Sequence, residues 1–284
     1  MTVELGGGEA SNALRGDVGS MVADLRAAGT VPTLAIVLAT EDGGALWYSR
    51  AIAAAAEQVD IKCRLVSLSA DATESELGAK IVDLARDPEI HGMLLQMPLP
   101  AGVSADALAE LIPAGKDIDG MTPLSMGRLV LGRPSFPPAT AEAVLRLLKW
   151  HQVEMSGASV VVIGRSAVVG KPVFHLLLRE DASVTVCHSK TKSLEQVASQ
   201  ADILVVAVGR PRFVTADFVR PGATVIDVGT NAEDDGSLVG DVDERSVDGV
   251  AGALTPVPGG VGPVTTASLL LHTAEAAQAL AQSE

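Results

Sequence analysis

The sequence predicts an α/β protein of two domains, each a parallel sheet wrapped by helices, with the last helix returning to the first domain. Three observations carry this. Apolar runs alternate with segments of helical periodicity in both halves, which sets parallel strands and covering helices in turn. The 284 residues suffice for two ordinary domains of roughly 100–200 residues each. Apolar residues make up 48% of the chain, yet it has only four Phe, two Trp and one Tyr. A sizeable core must therefore be built from Val, Leu, Ile and Ala, the residues of buried parallel strands.

In the first half, Leu14, Val18, Met21, Val22 and Leu25 fall at helical spacing within residues 10–28. Residues 33–38 form a short apolar run ahead of a loop over 39–45, as a buried strand requires. Residues 46–59 read as helix, 62–67 as strand, 74–85 as helix and 92–96 as strand, closed by Pro98-Leu99-Pro100. In the second half, 159–163 reads as strand and 171–178 as helix, with further strands over 184–187, 203–206 and 224–228. Gly222 and Gly229 punctuate the last of these. A helix over 141–150 joins the halves and sets the boundary within 137–157. The domains are then 1–140 with 265–284, and 141–264, because the apolar helix over 265–280 packs back on the first.

A net charge of −14 repels nucleic acid and acidic lipid surfaces, so any phosphate must be held by a few placed residues. Cys63 and Cys187 lack metal-ligand spacing and read as reduced thiols of a cytoplasmic protein; no metal site is expected. No basic head followed by an apolar run opens the chain, and no apolar stretch approaches the ~20 residues of a membrane span.

The strand over 159–163 runs through Gly164-Arg165-Ser166-Ala167-Val168-Val169-Gly170-Lys171-Pro172 into a helix. Glycines at such a turn let the backbone approach a pyrophosphate, and the helix N-terminus offers N–H donors. A tight turn without a ligand has the same appearance. The next strand ends in Cys187-His188-Ser189-Lys190, with no acidic residue to take a ribose 2′-hydroxyl. Arg165, Ser189 and Lys190 suit a 2′-phosphate instead, which points to NADP in a Rossmann-type domain. The alternative is that Lys190 and Lys192 are a solvated edge.

Six segments together resemble one family: Leu94–Pro100, Gly115–Gly120, Gly164–Pro172, Cys187–Thr191, Val225–Gly229 and Thr255–Pro263. In this order and spacing the chain is similar to the bifunctional methylenetetrahydrofolate dehydrogenase/cyclohydrolases, from about residue 33 to residue 275. The resemblance implies a homodimer of two-domain subunits that binds tetrahydrofolate derivatives between a catalytic and an NADP domain. Such enzymes oxidise the one-carbon bridge of methylenetetrahydrofolate, then hydrolyse the product. Tyr48 matches the tyrosine that stacks on the folate, Gln96 the glutamine beside the catalytic lysine, and Asp119 the aspartate that holds the pterin. Pro258, Gly259 and Gly260 match the loop lining folate and nicotinamide. Gly164, Arg165, Ser166, Gly170, His188, Ser189 and Thr230 fall to the cofactor site, with Arg165 and Ser189 at the 2′-phosphate.

The chain departs from the family where hydrolysis is catalysed. The Tyr-x-x-x-Lys pattern reads Tyr48-Ser49-Arg50-Ala51-Ile52, so Ile52 holds the lysine position, and the second basic position is Ala54. Gly43-Gly44-Ala45 stands for Pro-Ala-Ser, and Pro138-Ala139-Thr140-Ala141 for Pro-Cys-Thr-Pro. Opening the methenyl bridge needs a positioned acid/base, which a lysine of lowered pKa supplies and isoleucine does not. Hydride transfer needs mainly alignment. Arg50 is a poor proton shuttle, and two residues along a helix place it about 200° from Ile52. The leading expectation is an NADP-dependent dehydrogenase with cyclohydrolase activity lost or strongly impaired. A non-catalytic folate- or nucleotide-binding paralogue and an oxidoreductase of changed substrate are the alternatives.

Overall fold

The computed structural model describes residues 1–233 and 235–282. They form two compact units, Met1–Asn12 with Thr140–Thr265, and Ala13–Ala139 with Thr266–Glu284.

The unit holding Ala13–Ala139 is built on a three-stranded parallel sheet. Thr33–Leu38 lies at its centre, between Lys62–Ser67 and Gly92–Leu95. Every residue of the central strand is buried, which explains why it reads as an unbroken apolar run. One face of the sheet packs Leu34, Ile36 and Leu94 with Val18, Val22, Ile52 and Ala56. The other packs Ala35, Val37 and Leu95 with Leu77, Ile81 and Leu108. The last helix, Val261–Ala281, contributes Ala267, Leu270 and Ala274 to the first of these cores, as the sequence leads one to expect.

The other unit is a six-stranded, all-parallel sheet. Its order is Val3–Glu4, Ala253–Leu254, Thr224–Asp227, Ile203–Val206, Ser159–Ile163, Ser183–Cys187. Ser159–Ile163 is flanked by the strands that follow it in sequence, one on each side. The strand order therefore reverses beside it, and the crevice at the carboxyl ends there is where doubly wound sheets bind ligands.

Two expectations need correction. Residues 1–12 belong with the six-stranded sheet and not with the first domain, because Val3 and Glu4 pair in parallel with Ala253 and Leu254. The second helix, Gly43–Gln58, starts inside the expected loop 39–45. Asp42 caps it, its Oδ1 accepting the Ala45 N–H at 2.8 Å, and this outweighs the poor helix propensity of Gly43 and Gly44.

Candidate active site

The Gly43–Gln58 helix directs Tyr48 and Ile52, one turn apart, toward the protein interior. Tyr48 is half-buried against the core, and its phenol hydrogen-bonds with the Thr266 side chain. Burial, reinforced by the negative charge of Asp119, pushes the phenol up to about 12, so it stays protonated at neutral pH. Ile52 is fully buried among Leu34, Ile36, Leu94 and Ile118. Arg50 and Ala54 are exposed on the other side of the helix, as their spacing from Ile52 requires. The position thus carries no group able to move a proton.

Asp119 is set by the loop after Gly115. Buried Lys116 ties this loop to the end of the Glu74–Arg86 helix, its Nζ donating to Ala85 O at 2.9 Å and Asp87 O at 2.8 Å. The fully buried Asp117 accepts the Met121 and Thr122 amides, both at 3.0 Å, so it acts as a loop cap. Gly120 has φ +56°, and a Cβ there would lie 2.5 Å from Phe136 O, which brings residues 136–139 against Asp119. The Asp119 carboxylate accepts the Ala139 N–H at 3.2 Å. Burial raises it to about 6; the Ala139 amide opposes this, Asp117 adds to it and His272 opposes it.

The structure therefore brings Tyr48, Asp119 and Thr266 together, with Ile52 one turn behind Tyr48. Gln96 lies just past the Gly92–Leu95 strand, where its backbone N–H donates to Val37 O at 2.8 Å. Its side-chain amide donates to Met97 O, also at 2.8 Å. Sequence reasoning does not single out Thr266 or His272. Both sit in a predominantly apolar helix, where a polar residue has no evident role until its partner across the fold is known.

In the other unit, Gly164 has φ +134°, and a Cβ there would lie 2.2 Å from Ala207 O; one on Gly170 would lie 2.1 Å from Gly164 O. Only glycine permits this strand–turn–helix packing. The Ser166 hydroxyl accepts the Val169 and Gly170 amides at 3.1 and 3.4 Å, so those two donors are already engaged. The amides of residues 165–168 make no intramolecular hydrogen bond among the described residues. Gly164 N donates to Cys187 O at 2.9 Å, which places Arg165 beside the His188–Thr191 turn. In that turn the His188 amide donates to Thr191 Oγ1 at 2.9 Å and the Lys190 amide to His188 Nδ1 at 3.1 Å. Arg165, Ser189 and Lys190 are exposed, and Arg165 pairs with no carboxylate among the described residues.

Two buried carboxylates, whose roles the sequence does not reveal, shape the same edge of the sheet. Asp227 accepts the amides of Gly229, Asp241 and Val242 at 2.9–3.0 Å. Asp241 accepts those of Val208, Gly209 and Arg210 and the Asn231 side chain, which fixes the residues around exposed Thr230. Burial lifts Asp227 to about 6 against its three amide donors, with Asp241 adding to the rise. Glycine is required opposite each: a Cβ on Gly229 would lie 2.3 Å from Asp241 Cγ, and one on Gly240 would meet Asp227 Oδ2. Thr255 Oγ1 accepts the Asp227 N–H at 2.8 Å, and Gly7 N donates to Gly259 O at 2.8 Å. The loop carrying Pro258, exposed Gly259 and buried Gly260 is thereby anchored beside the strand ends.

Two family models match the chain. Residues 5–119 match the tetrahydrofolate dehydrogenase/cyclohydrolase catalytic domain, and residues 138–281 match the NAD(P)-binding domain of the same family. The chain is 53% identical over 277 residues to bifunctional protein FolD 1 of Rhodococcus jostii, covering 98% of this chain and 93% of that one. The crystal structure of the bifunctional FolD methylenetetrahydrofolate dehydrogenase/cyclohydrolase from Campylobacter jejuni superposes with a TM-score of 0.95 at 37% identity, covering 98% of this chain and 99% of that one. The Trypanosoma brucei methylenetetrahydrofolate dehydrogenase-cyclohydrolase, solved with NADP cofactor and inhibitor, gives 0.93 at 34% identity, covering 98% of both chains. With both domains matched and identity above half across nearly the whole chain, this protein belongs to the tetrahydrofolate dehydrogenase/cyclohydrolase family.

Proposed function

We propose that the chain is an NADP-dependent methylenetetrahydrofolate dehydrogenase whose cyclohydrolase activity is lost or strongly impaired. The observation that carries the reading is Ile52, a fully buried aliphatic side chain one turn from Tyr48. It stands where the family resemblance calls for the lysine that moves protons during hydrolysis.

The dehydrogenase half rests on groups that are present. Tyr48 offers a flat ring for stacking, and its phenol is held neutral by burial. Asp119 offers a carboxylate to the row of donors on a pterin. Gln96, which matches the family glutamine, supplies an amide just past the Gly92–Leu95 strand. The glycine-pinned turn fits a dinucleotide: its amides at 165–168 are unengaged, and Arg165 and Ser189 are exposed at adjoining strand ends. They would hold the 2′-phosphate, while Gly164, Ser166, Gly170, His188, Thr230 and the 258–260 loop would shape the rest of the site. Bound NADP supplies the acceptor for the hydride. Oxidation then asks the protein for alignment, which these residues provide, whereas hydrolysis asks it for a proton donor and acceptor. A homodimer acting in the cytoplasm on tetrahydrofolate derivatives completes the reading.

The test is NADPH formation from methylenetetrahydrofolate, with methenyltetrahydrofolate decay followed separately. NADPH formation without accelerated decay supports the reading. Folate binding without turnover favours a non-catalytic paralogue, and NADP binding without folate binding favours a changed substrate.

A further inference from the structure

His272 is 1% exposed on the apolar Val261–Ala281 helix. A buried imidazole is tolerated when its nitrogens are matched. Its Nδ1 lies 2.7 Å from the carbonyl oxygen of Ile118. A carbonyl only accepts, so Nδ1 is the nitrogen that carries the proton in this contact. The Phe136 ring packs on the imidazole with centroids 5.1 Å apart. The last helix thus grips the loop at the residue before Asp119, while the Ala139 amide holds the carboxylate itself.

Ionisable groups on three elements act on Asp119. Asp117 is on its own loop, Tyr48 on the Gly43–Gln58 helix, and His272 on the last helix. Asp117 is a second carboxylate, and Tyr48 is neutral. Among these, His272 is the one able to place positive charge beside the carboxylate, and it opposes the rise that burial and Asp117 impose. A pterin presents N–H donors, which a protonated carboxyl receives poorly.

We propose that His272 is the positioning residue for Asp119, anchoring its loop through Ile118 so that the carboxylate is held for the folate. The proposal rests on the reading that Asp119 binds the pterin. It accounts for a buried histidine in the interior of the last helix, and it assigns that residue an effect on substrate binding and not on hydride transfer.

The test compares dehydrogenase kinetics from pH 5 to pH 9 in the wild type and in His272→Asn, His272→Gln and Asp119→Asn. Asn and Gln keep an N–H donor for Ile118 O but cannot take a charge. The expected result is an acid limb of kcat/KM for folate that moves toward neutral pH by about half a unit or more. At pH 6 the folate KM rises severalfold, while kcat at saturating folate and the NADP KM stay near wild type. A merely structural role would not move the acid limb selectively for folate. An unmoved acid limb in both His272 variants, with Asp119→Asn abolishing it, overturns the proposal and leaves the Asp119 reading intact. An Asp119→Asn enzyme with wild-type folate KM and acid limb overturns both.

Discussion

Ile52 lies one helical turn beyond Tyr48 on the buried side of the Gly43–Gln58 helix, with no exposed surface of its own. The pair sets an aromatic ring, half-buried and held neutral, beside a buried aliphatic side chain. Restoring a lysine there is the natural experiment. Ile52→Lys should raise methenyltetrahydrofolate hydrolysis above wild type, within the ~10²–10⁴-fold that a positioned acid/base contributes. Recovery should be partial, because Ala45 and Ala54 also depart from the family pattern. Burying an ammonium among Leu34, Ile36 and Leu94 should cost a few kcal/mol of stability. Parallel thermal melting separates that cost from the gain in activity; a folded Ile52→Lys protein with no added hydrolysis contradicts the assignment of the position.

Cofactor choice is read at Arg165. Arg165→Ala should weaken NADP binding by on the order of 1.5–3 kcal/mol, the contribution of a charge-assisted contact, and leave NAD binding nearly unchanged. Fluorescence titration with both dinucleotides checks this. Equal loss for both makes Arg165 a structural residue of the turn.

Gly164 should be irreplaceable. Gly164→Ala forces an alanine to φ +134° with its Cβ 2.2 Å from Ala207 O. Backbone strain alone costs on the order of 1–3 kcal/mol, and the clash with backbone adds to it. Calorimetry should show a lowered Tm, and dinucleotide titration a loss of binding. A variant that melts and binds as wild type would mean that the turn has room that its packing denies.

Stability and folate binding should respond oppositely to acid. Asp119 and Asp227 are both held at about 6 by burial. A folded value raised above the unfolded one, about 3.9 for aspartate, means that protons favour the fold. This contribution is complete below the unfolded value and is lost as pH rises through about 6. Glu76, Asp87, Asp202, Glu233 and Asp235 are held low and act in the other direction, but only below their unfolded values near 4. His175, lowered by burial, opposes the gain between pH 7 and pH 5, as one partly exposed group against two buried carboxyls. Melting at pH 5 should therefore exceed melting at pH 7 by about 2–4 °C, and Asp119→Asn should reduce the difference. Folate affinity should fall over the same interval as the Asp119 carboxylate gains its proton. A Tm that declines from pH 7 to pH 5 contradicts the account of these two carboxyls.

The fold is legible in the sequence wherever a strand is four or more residues long, whether it buries a run or, like 62–67, lies exposed at the edge of its sheet. Residues 33–38, 62–67, 159–163 and 203–206 read as strands at the bounds that the structure gives. The two-residue strands Val3–Glu4 and Ala253–Leu254 carry no periodicity of their own and owe their existence to pairing between segments far apart in the chain. The short helices Ala105–Ala109 and Pro123–Val130 escape notice because five to eight residues leave little amphipathic signal; their caps, Ser104 and Thr122, are the available clue. Tyr48, Asp119 and Gly164 stand out because local motifs hold them. His272 and the Asp227–Asp241 pair do not, since each depends on partners brought from distant segments: Ile118 for the histidine, and the amides of residues 208–210 for Asp241.

The central claim, that hydrolysis is missing while the folate and dinucleotide residues remain, is tested most directly by the wild-type protein with methenyltetrahydrofolate. Its absorbance decay, corrected for spontaneous hydrolysis, should be no faster with the protein than without it, in a preparation that forms NADPH from methylenetetrahydrofolate. Decay as fast as that produced by a bifunctional relative carrying the lysine would contradict the claim and show that another group supplies the proton.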